Sequence, residues 1–162
     1  MRLVQSDKKE LVFSLQEREK HALCRLLQLY PLVPPAHHRL SGAPGQGDVK
    51  ENQQLLEEAL AEQRLENRRH VAGFLAEPNR FQPDDGELRC TIQIWETEWL
   101  LQVLNDIRVG AWLALGEPED LEQPPISESN APLWAAMELA GYFESELLAA
   151  LGSNQPLGQD EG

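Results

Sequence analysis

The sequence predicts a mainly α protein, a four-helix antiparallel bundle with a small N-terminal antiparallel β-sheet. Three observations carry this expectation. Four long stretches repeat apolar residues at spacings of three and four and are bounded by capping residues, prolines and glycines. Three short stretches show strand patterning around polar turns. One of the helical stretches, Trp99 to Gly116 (WLLQVLNDIRVGAWLALG), is apolar on almost every side, as the central helix of a bundle must be.

The elements follow in chain order. Leu3-Val4 and Leu11-Val12-Phe13 flank the polar turn Ser6-Asp7-Lys8-Lys9, which predicts a hairpin over about residues 2–13. Two strands alone are marginal in water. A third is available at about residues 88–94, where Leu88, Cys90, Ile92 and Ile94 alternate with Arg89, Thr91 and Gln93 and so share one buried face. The first helix runs from about Leu15 to Tyr30. Ser14 with Glu17 fits a capping box, with Gln16 as the alternative start. Ala22, Leu23, Leu26 and Tyr30 form its apolar stripe, and Pro31 and Pro34-Pro35 stop it. Residues 41–47 are rich in glycine and proline and read as a mobile loop.

Asp48 is a favourable cap for a second helix from about Val49 to Ala76. Leu55, Leu56, Ala59, Leu60 and Leu65 make its first half amphipathic; Arg68-Arg69-His70 precede Val71, Phe74 and Leu75 in its second, and Glu66-Asn67 is where a kink or break would fall. A loop from Pro78 to Glu87 turns at Asp84-Asp85-Gly86. Thr97 is the expected cap of the third helix and Gly116 its C′ residue. Its stripe Leu100, Leu104, Ile107, Ala111 and Leu115 faces one neighbour, and Leu101, Asn105, Arg108 and Trp112 face another. After an acidic, proline-containing loop over 117–130, a fourth helix runs from about Ala131 to Leu151. Asn130 caps it, Pro132 sits in its first turn and Gly152 ends it. Residues 1–152 then form a single domain, and 153–162 a disordered acidic tail.

Charge is unevenly placed. Residues 1–81 hold 12 Lys/Arg and 11 Asp/Glu, a net of +1, whereas residues 82–162 hold 2 Lys/Arg and 16 Asp/Glu, a net of −14, so the whole of the net charge of −13 arises in the second half. A nucleic-acid binder carries a basic stripe; none is visible, and the acidic half repels phosphate and anionic membrane surfaces alike. Acidity serves solubility, or it forms a face for a basic partner. No apolar run spans a bilayer and Met1 to Lys9 lack a signal-peptide core. Two cysteines, Cys24 and Cys90, do not make a disulfide framework. A soluble cytoplasmic protein is expected.

The residues offer little catalytic chemistry. His21 and His70 follow Glu17 and Glu66 at a spacing of four, not the three of helical Glu-x-x-His metal sites, and His37-His38 are adjacent. No metal site and no cofactor is expected. GxSxG, Walker A, HExxH and Rossmann glycine patterns do not occur. Cys24 reads as an inert helix thiol. Glu144 and Glu146, two apart on a helix, diverge and do not form an acid–base pair.

What remains is the polar group Asn105-Asp106-x-Arg108 in the most apolar helix. A buried aspartate needs a partner. Arg108, at i+2, is poorly placed, so Arg68 and Arg69 of the second helix, or a Lys or Arg of the first, are the expected partners. On this reading the cluster pins helix three to helix two; the alternative is a ligand site. Trp99, Trp112 and Trp134 read as core or interface anchors. Trp95, a further candidate anchor, sits where strand passes to helix.

Leu104-Asn105-Asp106-Ile107-Arg108, with the apolar run to Leu115-Gly116, resembles the central motif of an uncharacterised bacterial family. That family is best known from actinobacteria and classed as a domain of unknown function, with the pattern Trp-Leu-x-x-Leu-Asn-Asp-x-Arg. The N-terminal strand–turn–strand–helix, Leu60 to Leu75 (LAEQRLENRRHVAGFL) and Glu144-Ser145 with Leu147-Leu148 are similar to its other parts in order, which covers most of residues 1–151. Trp99 stands one position before the family's Trp, and the 41–48 and 117–130 loops have no counterpart. The resemblance implies a fold, not a reaction. It also implies a genomic neighbourhood near an adaptor of an ATP-dependent Clp protease.

Two functions follow as expectations. One is a non-catalytic interaction or regulatory protein with a protein partner, basic if the acidic face is used, and linked through the resemblance to regulated proteolysis. The other is a small-molecule binder or enzyme with a pocket around Asn105, Asp106 and Arg108. A homodimer through exposed Trp and Leu is compatible with both.

Overall fold

A computed structural model of the chain describes residues 1–35, 47–122 and 125–154. Residues 41–46 of the expected 41–47 loop, His37-His38, and residues 155–162 of the expected 153–162 tail lie outside the described residues; Gly47 and residues 153–154 belong to helices. In chain order the elements are β1 (Arg2–Ser6), β2 (Glu10–Leu15), α1 (Glu17–Leu27), α2 (Gly47–Ala76), β3 (Phe81–Asp84), β4 (Glu87–Gln93), α3 (Ile94–Ala114) and α4 (Ala131–Asn154). The protein is mainly α with an antiparallel sheet of order β1-β2-β4-β3.

The N-terminal hairpin and the strand near residue 88 form as expected. Leu11, Phe13 and Leu15 pair with Ile92, Cys90 and Leu88, so all six stand on one face of the sheet, and all six are buried. A fourth strand, β3, falls where the sequence reads as a loop. Pro83 argues against a strand in general, but β3 is an edge strand with one side unpaired, where proline is tolerated. Its turn is Asp85-Gly86, both in the left-handed region (φ 47° and 82°), the geometry of a two-residue hairpin. Asp84, next to that turn, accepts a hydrogen bond from Arg89 Nε at 2.6 Å.

Several helix boundaries differ from expectation: α1 takes the alternative start at Gln16 and ends at Leu27 rather than Tyr30, and α2 begins at Gly47, so that Asp48 lies in its first turn. Ser14 and Leu15 stay in β2, and Gln16 caps α1, its N–H donating to Glu19 Oε2 at 2.9 Å. Gln93 caps α3 in the same way, its N–H donating to Glu96 Oε2 at 2.9 Å. Thr97 therefore lies inside the first turn, bonded to the Ile94 carbonyl at 2.6 Å. In both cases Gln at the cap with Glu three residues on outcompetes the nearby Ser or Thr, because each side chain satisfies one orphan N–H. Helix α4 continues through Gly152 to Asn154, whose Nδ2 donates to the Asp7 carbonyl at 2.7 Å and ties the helix end to the β1–β2 turn. Helix α2 is one unbroken element across Glu66-Asn67. Its described first half is exposed or half-buried, and Asn67, Val71 and Phe74 of its second half are buried.

One core joins the sheet face, α1 (Leu23, Leu26, Leu27), Phe74 of α2, α3 and α4 (Ala140, Phe143, Leu147). Leu100, Leu104, Ile107 and Ala111 of α3 are fully buried, as the expected stripe requires. Each such leucine or isoleucine contributes about 1.5–3 kcal/mol relative to exposure. Where α3 passes the segment after α1, Gly110 allows contact: a Cβ there would stand 2.6 Å from the Leu32 carbonyl carbon.

The buried ionic lock is not the one expected. Arg80 and Glu96, 7% and 4% exposed, form a bidentate pair with both Nη–Oε distances at 2.7 Å. Arg80 Nη1 also donates to the Thr91 carbonyl at 2.7 Å, Glu77 pairs with the same guanidinium, and the guanidinium lies 4.2 Å from the Phe74 ring centre. Burial by itself lowers the pKa of this guanidinium; the hydrogen bonds and charge of Glu96, with Glu77, outweigh it and hold the group above its ordinary value. The pair fastens the α2–β3 connection to the start of α3.

Candidate functional site

The polar group of α3 sits on its solvent edge rather than in the core. Asn105 and Arg108 are exposed and Asp106 is half-buried. The buried face is carried by positions 100, 103, 104, 107 and 111, so 105 and 108, three apart, share the opposite edge. There Arg108 Nη2 donates to Asn105 Oδ1 at 2.9 Å, and Arg108 Nε donates to Glu144 Oε2 of α4 at 3.1 Å. The helix is apolar enough overall that sequence alone hides which sector faces water.

Asp106 is a backbone clamp. The chain leaves α1 through a cis Tyr30–Pro31 peptide, and the next two N–H groups, of Leu32 and Val33, donate to Asp106 Oδ1 at 2.6 and 3.2 Å. Its partners are therefore amides of the α1–α2 connection and not Arg68 or Arg69, which are exposed. Arg64, one turn earlier on α2, fastens the same connection by donating from Nη2 to the Val33 carbonyl at 3.0 Å. The expected lock between α3 and α2 is instead made of amides: Gln63 and Asn67 both donate to Gln102 Oε1, at 2.9 and 3.2 Å.

These groups surround a cleft of about 390 Å³ whose walls include Tyr30, Arg64, Asn67, Gln102, Asn105 and Asp106. Burial pushes the Tyr30 hydroxyl up, against a hydrogen bond with Asn67 that lowers it. Asn105 and Asp106 share this concavity, and Arg108 does not line it.

Arg108 lines a second concavity, of about 440 Å³, between α3 and α4, with Val109, Trp112, Leu121, Met137, Glu138 and Gly141. Trp112 is half-buried, and its indole N–H donates to the Pro118 carbonyl at 3.2 Å. Trp99 and Trp134 are buried; Trp95 is 63% exposed on the first turn of α3. His70 stacks on Trp99 with ring centres 5.3 Å apart and lies 5.9 Å from Trp95. Of the expected anchors, then, Trp99 and Trp134 belong to the interior, while Trp95 and Trp112 reach the surface.

The thiols are poorly placed as nucleophiles. Burial pushes Cys90 up to about 12 and raises Cys24 as well. No group of His, Cys, Asp and Glu able to hold a metal occurs among the described residues, and no helix among them is long and apolar enough to cross a membrane. The groups that sequence reasoning missed are Arg64, Asn67 and Gln102. They are polar residues at helical spacing on α2 and α3, and only the packing of the two helices brings them together. The chain matches no protein-family model, no curated protein and no solved structure.

Proposed function

We propose that this chain is a non-catalytic interaction or regulatory module of the bacterial cytoplasm whose partner is a basic protein. One observation carries the reading. From Val109 to residue 162 there is no Lys, Arg or His, against ten Asp and Glu. The two basic residues of the acidic half, Arg89 and Arg108, are already engaged by Asp84 and Glu144. The surface left over attracts and orients a positively charged protein and repels nucleic acid. Membership of the family with the Leu-Asn-Asp-x-Arg central helix, and through it a role in regulated proteolysis, rests on that motif alone. In this reading α1, α3, α4 and the buried part of α2 act as an antiparallel four-helix scaffold.

The test is affinity capture from native-host lysate at low and high salt. A partner recovered at low salt and lost at high salt is expected. Recovery of nothing above background at any salt defeats the reading.

A second reading, a small-molecule binder, is favoured by the cleft that sets Arg64 and Asp106 among side-chain amides. Its test is Asn105→Ala, an exposed residue bonded to Arg108: loss of ligand binding without loss of stability supports a site, and unchanged binding removes Asn105 from it.

A further inference from the structure

We propose that the groove between α3 and α4 takes a basic amphipathic helix of the partner, seating its apolar side chains in the groove and its Lys and Arg on the rim. The proposal rests on the reading of the chain as an interaction module and names the surface that does the binding. The groove is apolar at its centre, where Trp112, Met137, Leu121 and Val109 meet Gly141. Gly141 leaves it open: a Cβ there would touch only Arg108 Cδ, at 3.8 Å. The Trp112 N–H is satisfied within the chain by the Pro118 carbonyl, so the ring offers apolar surface without an unmet donor. Met137 adapts to different side-chain shapes. Leu121, 53% exposed, forms an apolar lip.

The rim decides the occupant. Glu138 stands in the groove wall. Glu117, Glu119 and Glu122 belong to the segment that supplies Leu121 and are exposed. Among the described residues lining the groove the one cation is Arg108, which is held by Glu144 and Asn105. An apolar trough with an acidic rim complements a helix with apolar anchors at i and i+4 and basic residues beside them. An acidic or purely hydrophilic segment meets either repulsion or an unfilled trough.

Three synthetic helical peptides probe this by fluorescence anisotropy: one with Leu anchors and Lys elsewhere, one with the same anchors and Glu elsewhere, and one with Lys kept and the anchors replaced by Ser. The first should bind at least about tenfold tighter than either of the others, since both apolar fit and charge contribute. Gly141→Leu, which fills the trough without changing charge, should weaken it about tenfold, and Leu121→Ser, at an exposed position safe for folding, several-fold. Glu138→Lys should weaken binding at low salt and lose most of that effect at high salt, while Glu98→Lys, exposed on the first half of α3, should leave it unchanged. Equal binding of the three peptides, or indifference to both Gly141→Leu and Leu121→Ser, overturns the proposal. So does a dimer in light scattering that Leu121→Ser converts to monomer, because the occupant is then a second copy. Lysate capture separates the two levels: a partner held equally by wild type and Leu121→Ser removes the groove but keeps the interaction module, whereas a wild type that captures nothing removes the module itself.

Discussion

Removing either member of the Arg80–Glu96 pair should cost several kcal/mol and reveal strong coupling between them. Arg80→Met leaves the Glu96 carboxylate 4% exposed with the Gln93 N–H as its remaining bonded partner, and breaking a buried pair from one side costs about 3–5 kcal/mol. Glu96→Gln keeps the shape but leaves a buried guanidinium whose remaining anion is Glu77. Because that partner persists, the loss should sit near the lower end, about 3 kcal/mol. In the double variant no unpaired charge remains. Only the orphaned Thr91 carbonyl, the lost contact with the Phe74 ring and the weakened helix start persist, so the double should cost about 2–3 kcal/mol less than the sum of the singles. The assay is urea unfolding of the four proteins with a common m-value. A fall of about 6–12 °C in Tm should accompany a 3 kcal/mol loss in a chain of this size. Single losses under about 1 kcal/mol, or strict additivity, would refute the account of this pair as a lock that is costly to half-open.

Two glycines in helices should respond in opposite directions. Gly110→Ala drives a Cβ to within 2.6 Å of the Leu32 backbone, and an overpacking cost of about 1–3 kcal/mol exceeds the helix-propensity gain of about 1 kcal/mol. Gly141→Ala meets only Arg108 Cδ at 3.8 Å and should stabilise by about 0.5–1 kcal/mol; urea midpoints that move together would contradict this. Asp106→Ala orphans the Leu32 and Val33 N–H groups and should cost about 2–3 kcal/mol, while Asp106→Asn retains an acceptor oxygen and should cost about 1 kcal/mol or less. Equal losses in the two variants would mean that the carboxylate charge, not the oxygen, does the clamping. Tyr142 is pushed up to about 12 by burial and by its hydrogen bond to Glu19, and Tyr30 is raised by burial. A raised folded-state pKa contributes stability that is present below the ordinary value of 10.0 and is lost as pH rises through about 12. Tyrosinate absorbance of the folded protein should therefore appear above the ordinary range; a normal titration of both tyrosines in the folded state would disprove it.

Local pattern made much of this molecule legible. The alternation at 88–94, the polar turn at Asp7 and the stripes of α1 and α3 depend on residues close in sequence, whose period states the element and its buried face. The Asp85-Gly86 pair is equally local and marks the β3–β4 hairpin, but Pro83 masks β3 until the strand is known to lie at an edge. The caps at Gln16 and Gln93 were written in the Glu three residues later, beside Ser14, which has Glu17 at the same spacing, and Thr97, a common cap type that is followed at that spacing by Leu100. Partnership between charges is different in kind. Asp106 and Arg80 each needed a counterpart on chemical grounds. For Asp106 it is a pair of backbone amides 74 and 73 residues away, which no side-chain pattern announces. For Arg80 it is a glutamate whose cap role hides its second task. The sequence by itself determined the mainly α class, the core stripe of α3 and the acidic C-terminal half. Only the tertiary structure decided that Asn105 and Arg108 face water, that Asp106 clamps a connection, and that a groove lined by Trp112, Leu121 and Met137 opens between α3 and α4. Periodicity is a property of neighbours along the chain, whereas the partners of a polar group are set by which distant segments the packed core brings within a few ångströms.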